Sequence, residues 1–573
     1  MINTFTSRIL GLNISVSNID EAVTLITDKV RELKGQTVVL ITADLVMSAL
    51  HDSKVAAFLN DAALLLPVDE PIAWIQRLRG FTISESVREK TLIRRVTHDL
   101  QEQGLEGTVE FVEYAKADAI KGASDKVRIV TGPPRSISGK VSFLAACLKD
   151  SAKGRDRAAG DKKDMLIYAH YYYPDVASTG QILTELAEGL NESLHITVIC
   201  TVPSYTGKID KRYKKHLYYY ENINGVDVLR IRVPEFRKNY SASRLVNIMA
   251  YFIYAVAATT RTGHQDYIYT ISQPPILGGL LGVIGKYLKK ARLIYNIQDF
   301  NPEQVMAVSF SKNPAVLKLM MAMDKFSCKR ADKIIVVGRD MIDTLKKRFP
   351  VNTPPYVHIN NWINENEIVP LAPDHEKVMA FKKKYGIDGK YVIMYSGNIG
   401  LYYDLLEIQK IIREYDNVHD VVFAFVGQGS VLEQMQAYSK KEDQHNIVYI
   451  PYQNKEDLVY SLNAGDVHFV VNAKGIKGVS VPSKLYGVMA AGKPVLGILE
   501  EGSEARLIVE ESGCGKVVEP GDYQAIRQLI GYYTEHRSDP KVAAMGERGR
   551  QYLDKNLTRN ISIGKYASEI LSL

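Results

Sequence analysis

Cysteine is scarce: four in 573 residues, at Cys147, Cys200, Cys328 and Cys514, with no CxxC pair and no Cys/His spacing. That argues against a disulfide framework and against a zinc site, and reduced thiols in a cytoplasmic setting are the natural reading. Long apolar runs are lacking as well. The two most apolar segments, 245–259 and 276–288, fall short of the ~20 residues that span a bilayer, and the second is rich in glycine, so no transmembrane helix is expected. The opening stretch MINTFTSRILGLNISVS has no basic region followed by a long apolar core, which gives no signal peptide. Low-complexity tracts are absent, and 46% hydrophobic with 24% charged residues is the composition of ordinary globular domains. No basic stripe with interleaved aromatics stands out, which disfavours nucleic acid as a partner. Neither sign of charge dominates: 72 basic against 65 acidic residues leaves +7. So mild a bias fits an anionic small molecule or membrane surface and fits ordinary scatter equally well.

A chain this long exceeds one hydrophobic core and calls for roughly three or four compact units. Residues 1–148 alternate strand-like runs (37–41, 63–66, 127–130) with helix-like stretches (19–33, 45–59, 91–103), which predicts a small α/β domain. Residues 149–164, KDSAKGRDRAAGDKKD, are charged, rich in Ala and Gly, and free of apolar periodicity; they read as a linker. A second α/β unit starts abruptly at Met165. A buried-strand pattern, MLIYAHYYYP, leads through the loop DVASTG into a helix on which Leu183, Leu186, Ala187 and Leu190 share a face, and then into a strand at 196–200. Strand, helix and strand in so short a span predict a parallel sheet. The construction begins again at Tyr391, with strands at 421–426, 447–450, 467–471 and 494–498. The predicted architecture is therefore two Rossmann-like domains, 165–365 and 366–573, facing a cleft, with the last helix packing back on the first of them.

Ligands of such sheets sit at the carboxyl ends of the strands. Three loops there can meet an anion. Ser178-Thr179-Gly180 precedes the first helix of one domain, and Ser396-Gly397-Asn398-Ile399-Gly400 stands at the equivalent place in the other. Glycine admits an anionic ligand to the backbone, and a helix start offers unpaired N–H groups, although each loop is also a plain tight turn. The third is the segment from Val481 to Val495, VPSKLYGVMAAGKPV, where Pro482 opens a helix and Ser483 and Lys484 lie at its start. A lysine there can neutralise a departing phosphate, and a plain capped helix would not require it. Asp299 and Glu303 follow a strand at 293–297; a carboxylate so placed can touch a sugar hydroxyl or act as a base, or Asp299 can simply cap the next helix.

With these pieces assembled, residues 165–573 resemble glycosyltransferase family 4, in particular its WbuB-like branch. The matching stretches are YYYPDVASTGQILTELAEGL (171–190), IQDFNPE (297–303), ADKIIVVGRDM (331–341), INNWIN (359–364), YSGNIG (395–400), FVGQGS (425–430), VPSKLYGVMAAGKPV (481–495) and EESGCGKVVEPGD (510–522). The resemblance implies a GT-B fold and retaining transfer of a sugar from a UDP-linked or similar donor, without a bound metal or cofactor; a lipid-linked saccharide is the expected acceptor if the apolar stripe within 236–261 is exposed. By position it sets Gly180, Ser396, Gly397, Asn398, Ser483 and Lys484 at the donor's diphosphate side, Tyr449 and Tyr452 near the base, and Asp299 near the reacting sugar. Glu303 is then a candidate on the acceptor side. The sequence departs from the pattern at Val479 and Gly487, where many members carry glutamates, at Gln298, where a histidine is common, and in LYYDLLE (401–407), which lacks the usual basic residues.

Residues 1–148 are similar to the WecG/TagA/CpsF glycosyltransferases of family 26, through VVLITADLVMSAL (38–50), LLLPVDEPIAWIQRLRG (64–80), RRVTHDL (94–100) and VRIVTGPP (127–134). Asp44 stands where that family has Asn, and Asp69 is displaced by one from the expected aspartate, so the expectation is a degenerate, non-catalytic domain. Within 236–261, Leu245, Ile248, Met249, Phe252, Ile253 and Val256 recur at helical spacing beside Tyr251 and Tyr254 and behind basic residues. That pattern suits an interfacial helix at the inner face of the cell membrane and equally a core helix. Two other functions share the expected fold: a nucleotide-sugar epimerase and a non-catalytic sugar-nucleotide-binding subunit.

Overall fold

The computed structural model describes residues 6–15, 19–78, 87–115, 125–150, 162–175, 178–237, 241–307 and 313–573. The chain divides into two compact units: Met1–Asp175 with Asn191–Ile268 and Ile284–Ala291, and Val176–Leu190 with Tyr269–Val283 and Arg292–Leu573. All four cysteines are buried and outside any disulfide.

The first unit holds a four-stranded sheet in the order Leu64–Pro67, Thr37–Ile41, Val127–Thr131, Val109–Glu113, with every pairing parallel. Helices cover it, as the alternating sequence pattern requires. The stretch expected as one helix over 45–59 is two, Ala43–His51 and Ser53–Asp61. Asp52 breaks it: extended backbone ends the first helix there, and its carboxylate accepts the N–H groups of Lys54 and Val55 to cap the second. Helix Ile137–Asp150 and strand Lys163–Ala169 bracket the expected linker, of which 151–161 lie outside the described residues. Strands Lys163–Ala169, Leu194–Thr201 and Val226–Ile231 then run parallel, with Tyr218–Ile223 antiparallel beyond them. Helix Ser241–Thr259 buries Asn247, Tyr251, Ala255 and Ala258 and leaves Leu245, Val246, Met249 and Ile253 exposed. Tyr251 was expected beside the apolar stripe as an anchor; it is buried instead, because it falls on the helix face that packs on the sheet.

In the second unit, strands Arg292–Ile297, Lys333–Val336 and Tyr356–His358 are parallel neighbours. The six-stranded sheet has the order Ile447–Ile450, Val421–Val426, Tyr391–Ser396, Val467–Val471, Val495–Ile498, Gly515–Val518, all parallel. Its strands are nearly continuous apolar runs because helices cover both faces. Ile393, Phe423 and Phe469 pack against Ile408 and Ile412 of helix Leu405–Ile412 and Leu529 and Tyr533 of helix Tyr523–Glu535. Helix Arg559–Leu571 closes the chain against elements that precede residue 365. Its Tyr566 bonds Asn296 and lies edge-on to Trp362, while Glu569 pairs with Lys333 at 2.8 Å.

Candidate active site

Chain order in the six-stranded sheet runs outward from Tyr391–Ser396 on one side and from Val467–Val471 on the other. Where the order reverses, the loops leaving two neighbouring strands part, and the crevice between them takes ligands in sheets of this kind. Those loops carry Gly397 and the segment 472–483. Gly397 has φ +145°, a conformation L side chains rarely adopt, and its N–H donates to Val426 O at 2.9 Å. Gly427 (φ +143°) lies so close that a Cβ on it would stand 1.9 Å from Gly397 O. The two glycine loops therefore stack backbone on backbone. Ser396 ends its strand partly buried, and Asn398 is exposed, its carbonyl accepting the Tyr395 hydroxyl at 2.5 Å.

Lys484 begins helix Lys484–Ala490 and runs its side chain along Gly397, where an added Cβ would meet Lys484 Cε at 2.6 Å. Its Nζ lies 3.4 Å from the centroid of the Tyr403 ring and 4.9 Å from that of Tyr395. Such cation–π contacts contribute about 0.5–2 kcal/mol. Burial brings the ammonium down from the ordinary lysine range to about 7, and no carboxylate opposes it among the described residues. Ser483 precedes the helix, exposed, with no capping bond from its side chain.

Asp299 sits two residues past strand Arg292–Ile297 and forms an antiparallel bridge with Ser480, beside a bond from Phe300 N–H to Val479 O at 2.9 Å. Ser272 Oγ accepts the Asp299 N–H at 3.1 Å; Gln273 Nε2 reaches Asp299 Oδ2 at 3.5 Å, and Gln273 Oε1 accepts Thr179 Oγ1–H at 3.1 Å. Burial raises the Asp299 carboxyl above the usual range, while hydrogen bonds from Ser480, Gln273 and Gln304 pull it back. Burial, aided by the charge of Asp299, lifts the Tyr403 hydroxyl to about 12. Asp299 and Lys484 thus act on the same tyrosine.

The remaining predicted residues fall in different surroundings. Helix Ser178–Leu190 starts three residues earlier than the loop reading allowed, so Thr179 and Gly180 form its first turn, and Gly180 O accepts Thr184 Oγ1–H at 2.8 Å. Glu303 opens helix Glu303–Ala307 and spends both carboxylate oxygens on Arg348. That buried guanidinium also bonds Asp324 and Asn301 O and stacks on Phe300, which fixes the segment leading out of Asp299. The Tyr449 hydroxyl bonds Gln409 at 3.0 Å and Ser439 at 2.8 Å, on helices Leu405–Ile412 and Leu432–Lys441. Tyr452 is half exposed. Val479 and Gly487 are both buried, and a Cβ at Gly487 would make only ordinary contact, 3.4 Å from Leu462.

Sequence reasoning missed Gln273, Ser480, Tyr403 and its neighbour Tyr402, whose carbonyl accepts the Ala473 N–H at 2.7 Å and whose hydroxyl is raised in proton affinity by burial and by the charge of Asp299. The tyrosine pair was visible in LYYDLLE, but only as a stretch without basic residues. What the group can do chemically is hold an anion between a glycine-lined backbone and an ammonium, beside a carboxyl group of raised proton affinity. For a metal, the grouping with ligand geometry among the described residues is His98, Asp99 and Glu102, two exposed and Asp99 half-buried, on helix Glu89–Glu102 in the first unit, sharing no residue with this site.

Residues 7–127 match the glycosyl transferase WecG/TagA/CpsF family, and residues 378–552 match glycosyl transferases group 1. The chain is 28% identical to "Probable glycosyltransferase WbjE" of Pseudomonas aeruginosa over 346 residues, which is 60% of this chain and 84% of that protein. It is 22% identical to "Putative colanic acid biosynthesis glycosyl transferase WcaI" of Escherichia coli (strain K12), over 71% of this chain and 99% of that one. Among solved structures it superposes on Anabaena Alr3699/HepE in complex with UDP and glucose with a TM-score of 0.54 at 13% identity, over 72% of this chain and all of that one. The fold is that of GT-B enzymes.

Proposed function

From the premise that this chain is a GT-B glycosyltransferase with a WecG/TagA/CpsF-family domain at its N-terminus, we propose that it transfers a sugar from a UDP-linked donor to a lipid-linked saccharide in bacterial surface polysaccharide biosynthesis. The observation that carries this reading is Lys484, its ammonium held over Tyr403 and its stem against Gly397, at the reversal point of the six-stranded sheet. A diphosphate placed there takes its charge compensation from Lys484 and from the glycine-loop backbone, which is what departure of a nucleoside diphosphate needs.

The sugar's C1–O bond to the diphosphate breaks, and the acceptor oxygen bonds to C1 on the same face. The acceptor's proton passes to the leaving phosphate, so no covalent nucleophile is required and configuration is retained. Asp299, with a raised proton affinity, orients a sugar or acceptor hydroxyl beside the reacting carbon. The polysaccharide setting is supported by the name of the colanic acid relative, and the UDP donor by the UDP held in the cyanobacterial structure.

The reading sets the enzyme in the cytoplasm, docked on the inner membrane surface, and helix Ser241–Thr259 supports it. Its exposed Leu245, Val246, Met249 and Ile253 stand beside the exposed Arg244, a combination suited to an anionic bilayer that holds the acceptor. The test is product analysis with radiolabelled UDP-sugars, with and without lipid-linked saccharide. Label moving into the lipid fraction with the donor's anomeric configuration supports the reading. Conversion of donor alone to its epimer overturns it, and donor binding with no turnover on any acceptor points to a binding subunit.

A further inference from the structure

A separate cavity of about 330 Å³ lies within the second unit, with Arg339, His358, Lys555 and Lys565 on its polar side and Ile508 and Leu557 on its apolar side. None of these residues belongs to the Lys484 group. One carboxylate lines it, that of Glu504, almost wholly buried, and it is saturated: it accepts the Arg339 N–H and Nε–H at 2.8 Å each and Asn360 Nδ2–H at 2.8 Å. The other arm of Arg339 lies on Glu511 at 2.5 Å. The guanidinium is thereby neutralised, and the free charge of the cavity is that of Lys555 and Lys565, exposed at its mouth and without a carboxylate partner among the described residues.

Into the same space His358 presents a buried ring nitrogen, Nε2, that has no hydrogen-bond partner among the described residues and stays 3.8 Å from Glu504. Burial lowers the proton affinity of the ring; Arg339 and Lys565 lower it further, against the pull of Glu504. An imidazole whose other ring nitrogen bonds the Val337 backbone and whose unmatched Nε2 can share the proton of a P–OH group, two ammonium groups without a carboxylate partner among the described residues, and an apolar wall are complementary to a protonatable phosphoryl group attached to a compact carbon body. The volume stands at the lower end of small-molecule sites, enough for a phosphate ester and too small for a whole nucleotide sugar.

We propose that this cavity is a second anion site, which takes a soluble phosphorylated small molecule with its phosphoryl oxygens on Lys555, Lys565 and His358 and its carbon body against Ile508 and Leu557. The probes are inorganic phosphate and phenyl phosphate, titrated into the full chain labelled with ¹⁵N at histidine, with the His358 signal identified through His358→Gln. Saturable movement of that signal is expected, with phenyl phosphate binding more tightly than inorganic phosphate. The double variant Lys555→Ala/Lys565→Ala alters exposed side chains and keeps the parent melting temperature; it should weaken binding at least tenfold. Lys484→Ala should leave the affinity at His358 unchanged. A His358 signal unmoved by either probe, an affinity insensitive to the loss of both lysines, or binding abolished by Lys484→Ala would each overturn the proposal.

Discussion

Lys484 and Tyr403 meet as cation and ring, with Nζ 3.4 Å from the ring centroid. The contact gives a largely desolvated ammonium an electron-rich face in place of water, and among the described residues no carboxylate claims its N–H donors. An arriving diphosphate therefore has no internal anion to displace. Burial and then the charge of Asp299 raise the proton affinity of the same tyrosine, so one ring feels both the cation and the acid of the site.

Lys484→Ala should lower kcat by about 10²–10³, the loss that follows removal of one preorganised electrostatic group. Its thermal melting point should hold or rise slightly, since a desolvated charge leaves with the side chain. Steady-state rates on purified protein together with a circular-dichroism melt check both halves of the statement.

Donor affinity should depend on pH through the same lysine. With its pKa brought down to about 7, the free protein carries the ammonium below that pH and loses it above. Bound diphosphate favours the charged form and raises the value, so binding takes up a proton above pH 7. Affinity is therefore highest below pH 7 and falls toward tenfold per unit above it. Calorimetric titration of UDP in buffers of different ionisation enthalpy reads the proton uptake directly.

Gly397→Ala should abolish donor binding and cost about 1–3 kcal/mol of stability, because φ +145° strains any L side chain and the new methyl group would strike Lys484 Cε. Urea unfolding and UDP titration report the two effects separately.

Arg348→Met should destabilise the second unit by about 3–5 kcal/mol, since it strands the Asp324 and Glu303 carboxylates that the guanidinium holds. Glu303→Gln should cost less and leave the acceptor KM unchanged where Glu303 serves only as an anchor. An acceptor KM raised several-fold at unchanged unfolding midpoint would assign Glu303 to the acceptor side.

Sedimentation with liposomes containing anionic lipid should carry down the parent chain and leave Leu245→Asp/Ile253→Asp in the supernatant, with unchanged melting temperature because both side chains already face solvent. A parent chain that stays in the supernatant would reject the membrane contact.

The parallel strands were legible because both-face burial writes them as plain apolar runs; 421–426, 447–450 and 467–471 appear with the boundaries the sequence suggested. Lys484 and the Gly397 loop were legible as local signals, a lysine at a helix start and a glycine after a strand. Their adjacency was not, since it depends on which strands become neighbours at the reversal point. Gln273 and Ser480 carry no local signal: each is a common polar residue whose meaning comes from Asp299, 26 positions away in the case of Gln273. Glu303 shows the converse case, a local signal with a second, structural use. A carboxylate after a strand reads as chemistry until the fold brings Arg348 from 45 positions along the chain to claim both its oxygens. Tyr449 likewise has a structural use the sequence did not show, its hydroxyl bonded to Gln409 and Ser439.

The four interior thiols have a practical corollary. Shielded from water, Cys147, Cys200, Cys328 and Cys514 should ignore maleimide reagents under native conditions. A fluorophore pair attached at two engineered surface cysteines would then report donor-driven motion in the otherwise native chain, with no need for a cysteine-free background.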